Sequence, residues 1–277
     1  YGIVKIAIKP MSGSSLTTQS KSDIIKQLKE YNVASVSPVI VDPEITSIVL
    51  TSTAKYDERA TTKDSATLKA NIITLLGTYN VSTLQKFDSM FRHSKVVKLI
   101  DDTDNSILSN TTTLKIRKSF TPTLNSSLKY SVFFRNAVYN PHTSHNSTAG
   151  GVVSSSGFKI QGSTNEQLLD DDGNGNIRRY YLSGATRVYT NPTQGTIDYT
   201  TGEITINSLQ ITEISNIRGS ASTVIELTVQ PASNDIVPVR DQILELDIPN
   251  STISVDKDSF VGGSSDAGVG YTTTSAY

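Results

Sequence analysis

The chain has 277 residues, 36% of them hydrophobic and 18% charged, and its 25 Lys and Arg almost cancel 26 Asp and Glu. That balance offers no basic surface for nucleic acid, and no charge run or apolar run of roughly 18 residues points to a membrane. Zero cysteines exclude a disulfide framework, a thiolate zinc site and a cysteine nucleophile.

The length suits two domains and a sizeable core. The chain opens Tyr1-Gly2-Ile3, with neither Met nor a signal-peptide pattern, so an internal fragment lacking its N-terminal part is expected. Val4, Ile6 and Ile8 alternate with polar or small residues and predict a strand stopped by Pro10. After a Ser/Thr-rich loop, Ser22 can cap a helix carrying Ile24, Ile25, Leu28 and Tyr31 on one stripe. Val33 to Val41 predicts a second strand, and Pro38 inside it predicts an edge.

Beyond the Asp42-Pro43 turn, Ile48, Leu50, Ala54 and Tyr56 share one parity of a long third strand. Leu68, Ile72, Leu75 and Tyr79 mark an amphipathic helix, and Leu84, Phe87 and Phe91 predict a shorter one. An apolar run, Val96 to Ile100, is closed by the turn-prone DDTDNS, and Leu114 and Ile116 mark a strand with one wet face. The order β-α-β-β-α-α-β predicts a ferredoxin-like α+β domain over residues 1–120, an antiparallel sheet with helices on one face.

Residues 121–240 read as an antiparallel β-rich domain with long loops. Tyr130–Tyr139, Phe158–Ile160, the stretch after Asp172, Val224–Val229 and Ile243–Ile248 are strand-prone, with a polar loop from Asn140 to Ser156. Thr196–Tyr199, TTG and Glu203–Ile206 predict a hairpin in which Gly202 takes positive φ. Residues 241–277 add terminal strands, including Ile253 and Val255, and an extended segment from Gly262 on. That segment is too poor in apolar residues to order without a partner.

The best chemical motif is Asp170-Asp171-Asp172-Gly173-Asn174-Gly175-Asn176, which has calcium-loop spacing at its first six positions. Position twelve, however, is Tyr181 instead of the bidentate Glu, and no helices flank it, so a tight acidic hairpin loop is expected. His142 and His145 are spaced H-x-x-H without a third ligand in view, so no zinc site is expected. His93, between aromatic and apolar residues, reads as structural. Asp101 and Asp102 read as turn acids, not as an acid–base pair. No nucleophile elbow, phosphate loop or dinucleotide fingerprint occurs, so no catalytic residues, cofactor-binding residues or metal ligands are assigned.

One block, Leu84 to Asn110, contains F-R-x-S followed by I-D-x-x-D-x-S-I-x-S-N. It resembles the baseplate wedge proteins of T4-like contractile-tailed bacteriophages, within the baseplate J-like family. YGIVKIAIKP, VSPVIVDPEITSIVLTSTAKYD, LLDDDGNGNIRRYYL, GTIDYTTGEITINSLQI and VPVRDQILELDIPNSTISVDKD are similar to the family in matching order. The resemblance implies a C-terminal fragment of a structural virion protein, assembled in the host cytoplasm. It also implies self-pairing as a homodimer, contacts with other wedge and hub proteins in a ring, rearrangement on sheath contraction, and no catalytic residues. The polar loops and the segment Ile253–Tyr277 are the expected interface. A tail-associated carbohydrate- or receptor-binding module is the competing reading, because tyrosine-rich strands and amide-bearing loops suit sugars.

Overall fold

A computed structural model describes residues 2–10, 16–31, 36–145 and 151–258. Strand β1 (Gly2–Ala7) and strand β2 (Val36–Val41) pair in parallel, Val4 opposite Pro38, and form a two-stranded sheet of their own. Helix α1 (Thr18–Tyr31) connects them. It begins earlier than Ser22 predicts: Thr17 Oγ1 accepts from the Ser20 backbone N–H at 3.1 Å, so Thr17 is the capping side chain. Ile24, Ile25 and Leu28 are only half-buried, because two strands are too narrow to cover a helix stripe.

Strand β3 (Glu44–Tyr56) starts the main body. Its buried residues share the expected parity, and its polar member Ser52 bonds Thr112 of the neighbouring strand at 2.8 Å. Helix α2 (Ser65–Tyr79) is capped by Asp64 and buries Leu68, Ile72, Leu76 and Tyr79, so Leu76 occupies the core where the spacing favoured Leu75. A π-helical turn (Asn80–Leu84) follows. The helix expected on Leu84, Phe87 and Phe91 is absent: Asp88 takes φ +61° and Phe91 exchanges two backbone hydrogen bonds with Ile236. Both Leu84 and Phe91 are buried, but the helix itself, α3 (His93–Asp101), lies one segment later on Val96 and Ile100.

Strand β4 (Ile107–Phe120) returns antiparallel to β3. Strand β5 (Ser127–Phe133) ends before Tyr139, because the chain turns away at Arg135 with φ +57°. Strand β6 (Val153–Ser155) falls in the expected loop, followed by β7 (Phe158–Ile160). Then come β8 (Leu168–Asp171), β9 (Asn176–Ser183), β10 (Thr186–Asp198) and β11 (Glu203–Ile214). Gly202 closes the β10–β11 turn with φ +71°, and a Cβ there would sit 2.3 Å from the Asn136 carbonyl oxygen. The described residues end in β12 (Ile225–Val229), β13 (Gln242–Leu246) and β14 (Thr252–Lys257).

The pairing does not give the expected ferredoxin-like sheet. The first four strands fall in two sheets: β1 and β2 alone, and β3 with β4 inside the mixed order β13-β3-β4-β12-β6, with β14 also on β3. Both β13 and β14 run parallel to β3, end to end along one side. A second sheet has the order β5-β11-β10-β9-β8. One buried cluster runs through both larger sheets, from Ile48, Ile72 and Ile100 to Phe134, Phe158 and Ile204. The fold is α+β, with α2 and α3 against the β14–β3–β4 region.

Candidate functional site

The three consecutive acids lie at the β8–β9 turn, and each carboxylate has a different task. Register places Asp170 opposite Arg178 and Tyr189 opposite Tyr180. Asp170, 1% exposed, accepts from Arg178 Nε at 2.9 Å and Nη2 at 3.1 Å, from Arg187 Nη1 at 2.6 Å and from the Tyr189 hydroxyl at 2.8 Å. The Arg178 guanidinium lies 4.3 Å from the Tyr189 ring centre and that of Arg187 4.8 Å from the Tyr180 ring centre. Burial raises the pKa of both phenols, and the Asp170 carboxylate pushes the same way, so both stay protonated, Tyr189 as a donor and both as ring platforms.

Asp171 is fully buried and accepts from the Tyr199 hydroxyl at 2.7 Å and the Val153 backbone N–H at 2.8 Å, which ties β8 to β6. A Cβ on Gly151 would fall 1.6 Å from the Asp171 carboxylate, so only glycine lets the chain pass there. Asp172 holds the turn itself, accepting from the N–H groups of Asn174 at 2.7 Å and Asn176 at 3.0 Å. The carboxylates point at different partners, not at one centre. Among the described residues no group of three or more His, Cys, Asp or Glu converges as a metal site.

The other residues singled out in the sequence are dispersed. Asp101 accepts from Asn110 Nδ2 at 2.7 Å, and Asp102 pairs with Lys98 one helical turn earlier. His93 opens α3, with its Nε2–H toward the Thr112 carbonyl at 2.8 Å and its backbone N–H on Asp235 at 3.0 Å. His142 and His145 stand together in an exposed loop, their nearest ring nitrogens 3.3 Å apart. Among the described residues, none of these side chains meets another in a nucleophile–base or acid–base arrangement.

Several structural keystones carried no sequence signal. The Asn80 side chain bonds both the N–H of Leu246 at 2.8 Å and its carbonyl at 3.2 Å, imitating a strand neighbour. Lys118 is buried against Glu44 and the Phe133 carbonyl; burial depresses its pKa while Glu44 pulls it back up. Arg117 joins Glu226 to Asp247. These partners are far apart in sequence, and only the Asp170–Arg178 pair, facing across a short hairpin, was within reach of local reasoning.

The surfaces left for partners are strand edges. Among the described residues, strand β1 pairs with β2 alone and β5 with β11 alone. Apolar side chains are exposed on both: Ile3 (68%), Val4 and Val39 on the small sheet, Leu128 and Phe133 on β5. An unpaired strand row with exposed apolar residues is a template for another chain.

Residues 1–41 match the family described as baseplate structural protein gp6, C-terminal domain I. Residues 45–119 match the one described as baseplate structural protein gp6, C-terminal domain III. Over these two stretches the chain is similar to gp6 baseplate structural proteins. The two gp6 matches divide where the small sheet ends at Val41 and β3 begins at Glu44. The baseplate wedge protein gp6 of Enterobacteria phage T4 is 30% identical over 132 residues, which is 47% of this chain and 20% of the phage T4 protein. The chain therefore aligns with about a fifth of the length of that gp6.

Proposed function

We propose that the chain is a structural part of a phage tail baseplate wedge that self-associates to join wedges into a ring around the hub. In this reading it pairs as a homodimer, contacts other wedge and hub proteins, and rearranges with sheath contraction. The observation that carries the reading is the pair of adjacent gp6 domain matches, divided where the sheets divide. The internal chemistry supports it. The strongest polar cluster, around Asp170, spends its charges on holding strands together, and the open edges of β1 and β5 offer separate surfaces. A ring built on repeated pairing needs more than one such surface.

The test is light scattering coupled to size exclusion over a range of concentrations. A dimer or larger species is expected, weakened by Ile3→Lys or by Phe133→Lys. The expected contribution of Ile253–Tyr277 is tested by deleting 262–277, a segment outside the described residues, which should also weaken association. A strict monomer at all concentrations would overturn self-association by this chain. Specific binding on a glycan array would favour the carbohydrate-binding reading instead.

A further inference from the structure

We propose that His142 and His145 form a surface site for one divalent transition-metal ion of the zinc or nickel class. The ligands are His142 Nε2 and His145 Nδ1, and water completes the coordination. Sequence spacing alone gave no reason for this, because it brings no third ligand into view. The geometry supplies what spacing did not.

The loop is built to hold the two rings together. The His145 N–H donates to the His142 carbonyl at 3.1 Å, closing a turn, and Ser144 takes φ +63° to fold His145 back over it. The loop is fastened to the acidic hairpin: the Ser144 N–H donates to the Gly173 carbonyl at 3.1 Å and its hydroxyl to Asn174 Oδ1 at 2.9 Å. The Tyr139 ring packs edge-on against His145, centres 5.3 Å apart. The two imidazoles are thus fixed nearly perpendicular, with interplanar angle 85°.

Two nitrogens bound to zinc at about 2.0–2.1 Å with a tetrahedral angle lie about 3.3–3.4 Å apart. The ring nitrogens of this pair are 3.3 Å apart. The His142 Nδ1 faces the Thr143 carbonyl at 3.1 Å. Donation of Nδ1–H to that oxygen leaves the Nε2 lone pair free, which is how ligating histidines are commonly held. Without an ion, His145 Nδ1–H donates to His142 Nε2. With one, the His145 proton resides on its Nε2, and both facing lone pairs turn to the metal. Both rings are exposed, so neither has to be dug out of the core. A nitrogen-only pair selects zinc, nickel or copper over calcium and magnesium, which require oxygen ligands.

The experiment is calorimetric titration of the whole chain with zinc chloride, repeated with His142→Asn and His145→Asn, and with cobalt(II) absorption as a second readout. One ion per chain is expected. Either variant should weaken it by about tenfold or more, since losing a ligand should cost at least as much as losing an outer-shell partner. The metal-free variants should keep the parent urea midpoint, because the rings are exposed. No saturable binding, or binding unchanged in both variants, would overturn the proposal.

Discussion

Replacing Asp170 with Ala tests whether the acidic hairpin is a structural clasp. The substitution removes the acceptor of four hydrogen bonds from three side chains, and with it the ion-pair partner of Arg187. Arg187 is 37% exposed at its side chain and can take up water, so its loss is small. Arg178 is different: its side chain is 9% exposed, and its guanidinium keeps the Asp171 carbonyl at 2.7 Å and the Tyr189 ring. Removing one partner of a buried ion pair costs about 3–5 kcal/mol, because the remaining charge stays desolvated. That is a large share of the roughly 5–15 kcal/mol that holds a domain together. Urea unfolding followed by circular dichroism and tyrosine emission is the assay, since the chain has 12 Tyr and no Trp. The midpoint should fall with the slope unchanged. The double variant Asp170→Leu with Arg178→Met should recover most of the loss, because an apolar pair leaves no stranded charge. A cost below about 1 kcal/mol for Asp170→Ala, or a double variant no better than the single, would refute the reasoning.

Asn80→Ala strands the buried N–H and carbonyl of Leu246 and should cost about 2–4 kcal/mol in the same assay; a loss under about 1 kcal/mol would mean that the β13 edge finds other partners. Gly202→Ala meets both a positive φ and the Asn136 carbonyl and should destabilise by about 2 kcal/mol or more, with neutral behaviour counting against the turn geometry. Hydrogen bonds from Lys63 and then Ser106 hold the Asp104 carboxyl at about 2, below its ordinary 3.8. Its contribution to stability is therefore complete above about pH 3.8 and is lost as pH falls through about 2. Carboxyl NMR titration should show this depression, and Lys63→Met should move the Asp104 pKa upward. Calcium or a calcium chelator should leave the urea midpoint unchanged, and a rise with calcium would restore the calcium-loop reading of Asp170–Asn176.

Local pattern was enough where burial is a one-sided affair. The parity of Ile48, Leu50, Ala54 and Tyr56 and the face of Leu68 and Ile72 appear in the fold, because alternation and helical spacing record which side of an element meets the core. The β10–β11 hairpin was equally readable, since Gly202 is the residue that a positive φ requires. Leu84, Phe87 and Phe91 misled for the same physical reason: apolar spacing reports burial, and Leu84 and Phe91 are buried through a π turn and a bridge to Ile236. The acidic run was visible as a turn. Its division into an ion-pair clasp, a strand tie and a turn lock depends on what Arg178, Tyr199 and Asn174 bring to each carboxylate.

The sequence alone carries the strand-rich α+β composition, the local faces of the elements and the ordered blocks that resemble baseplate wedge proteins. Only the folded chain decides that β1 and β2 stand apart from β3 and β4, and that β13 and β14 lie parallel along β3. Those strands meet residues about two hundred positions away, through Ser47 with Glu245 and the Leu50 N–H with Ser251. Such pairing is chosen by which buried backbone and side-chain groups can be satisfied together, and periodicity holds no record of a distant partner.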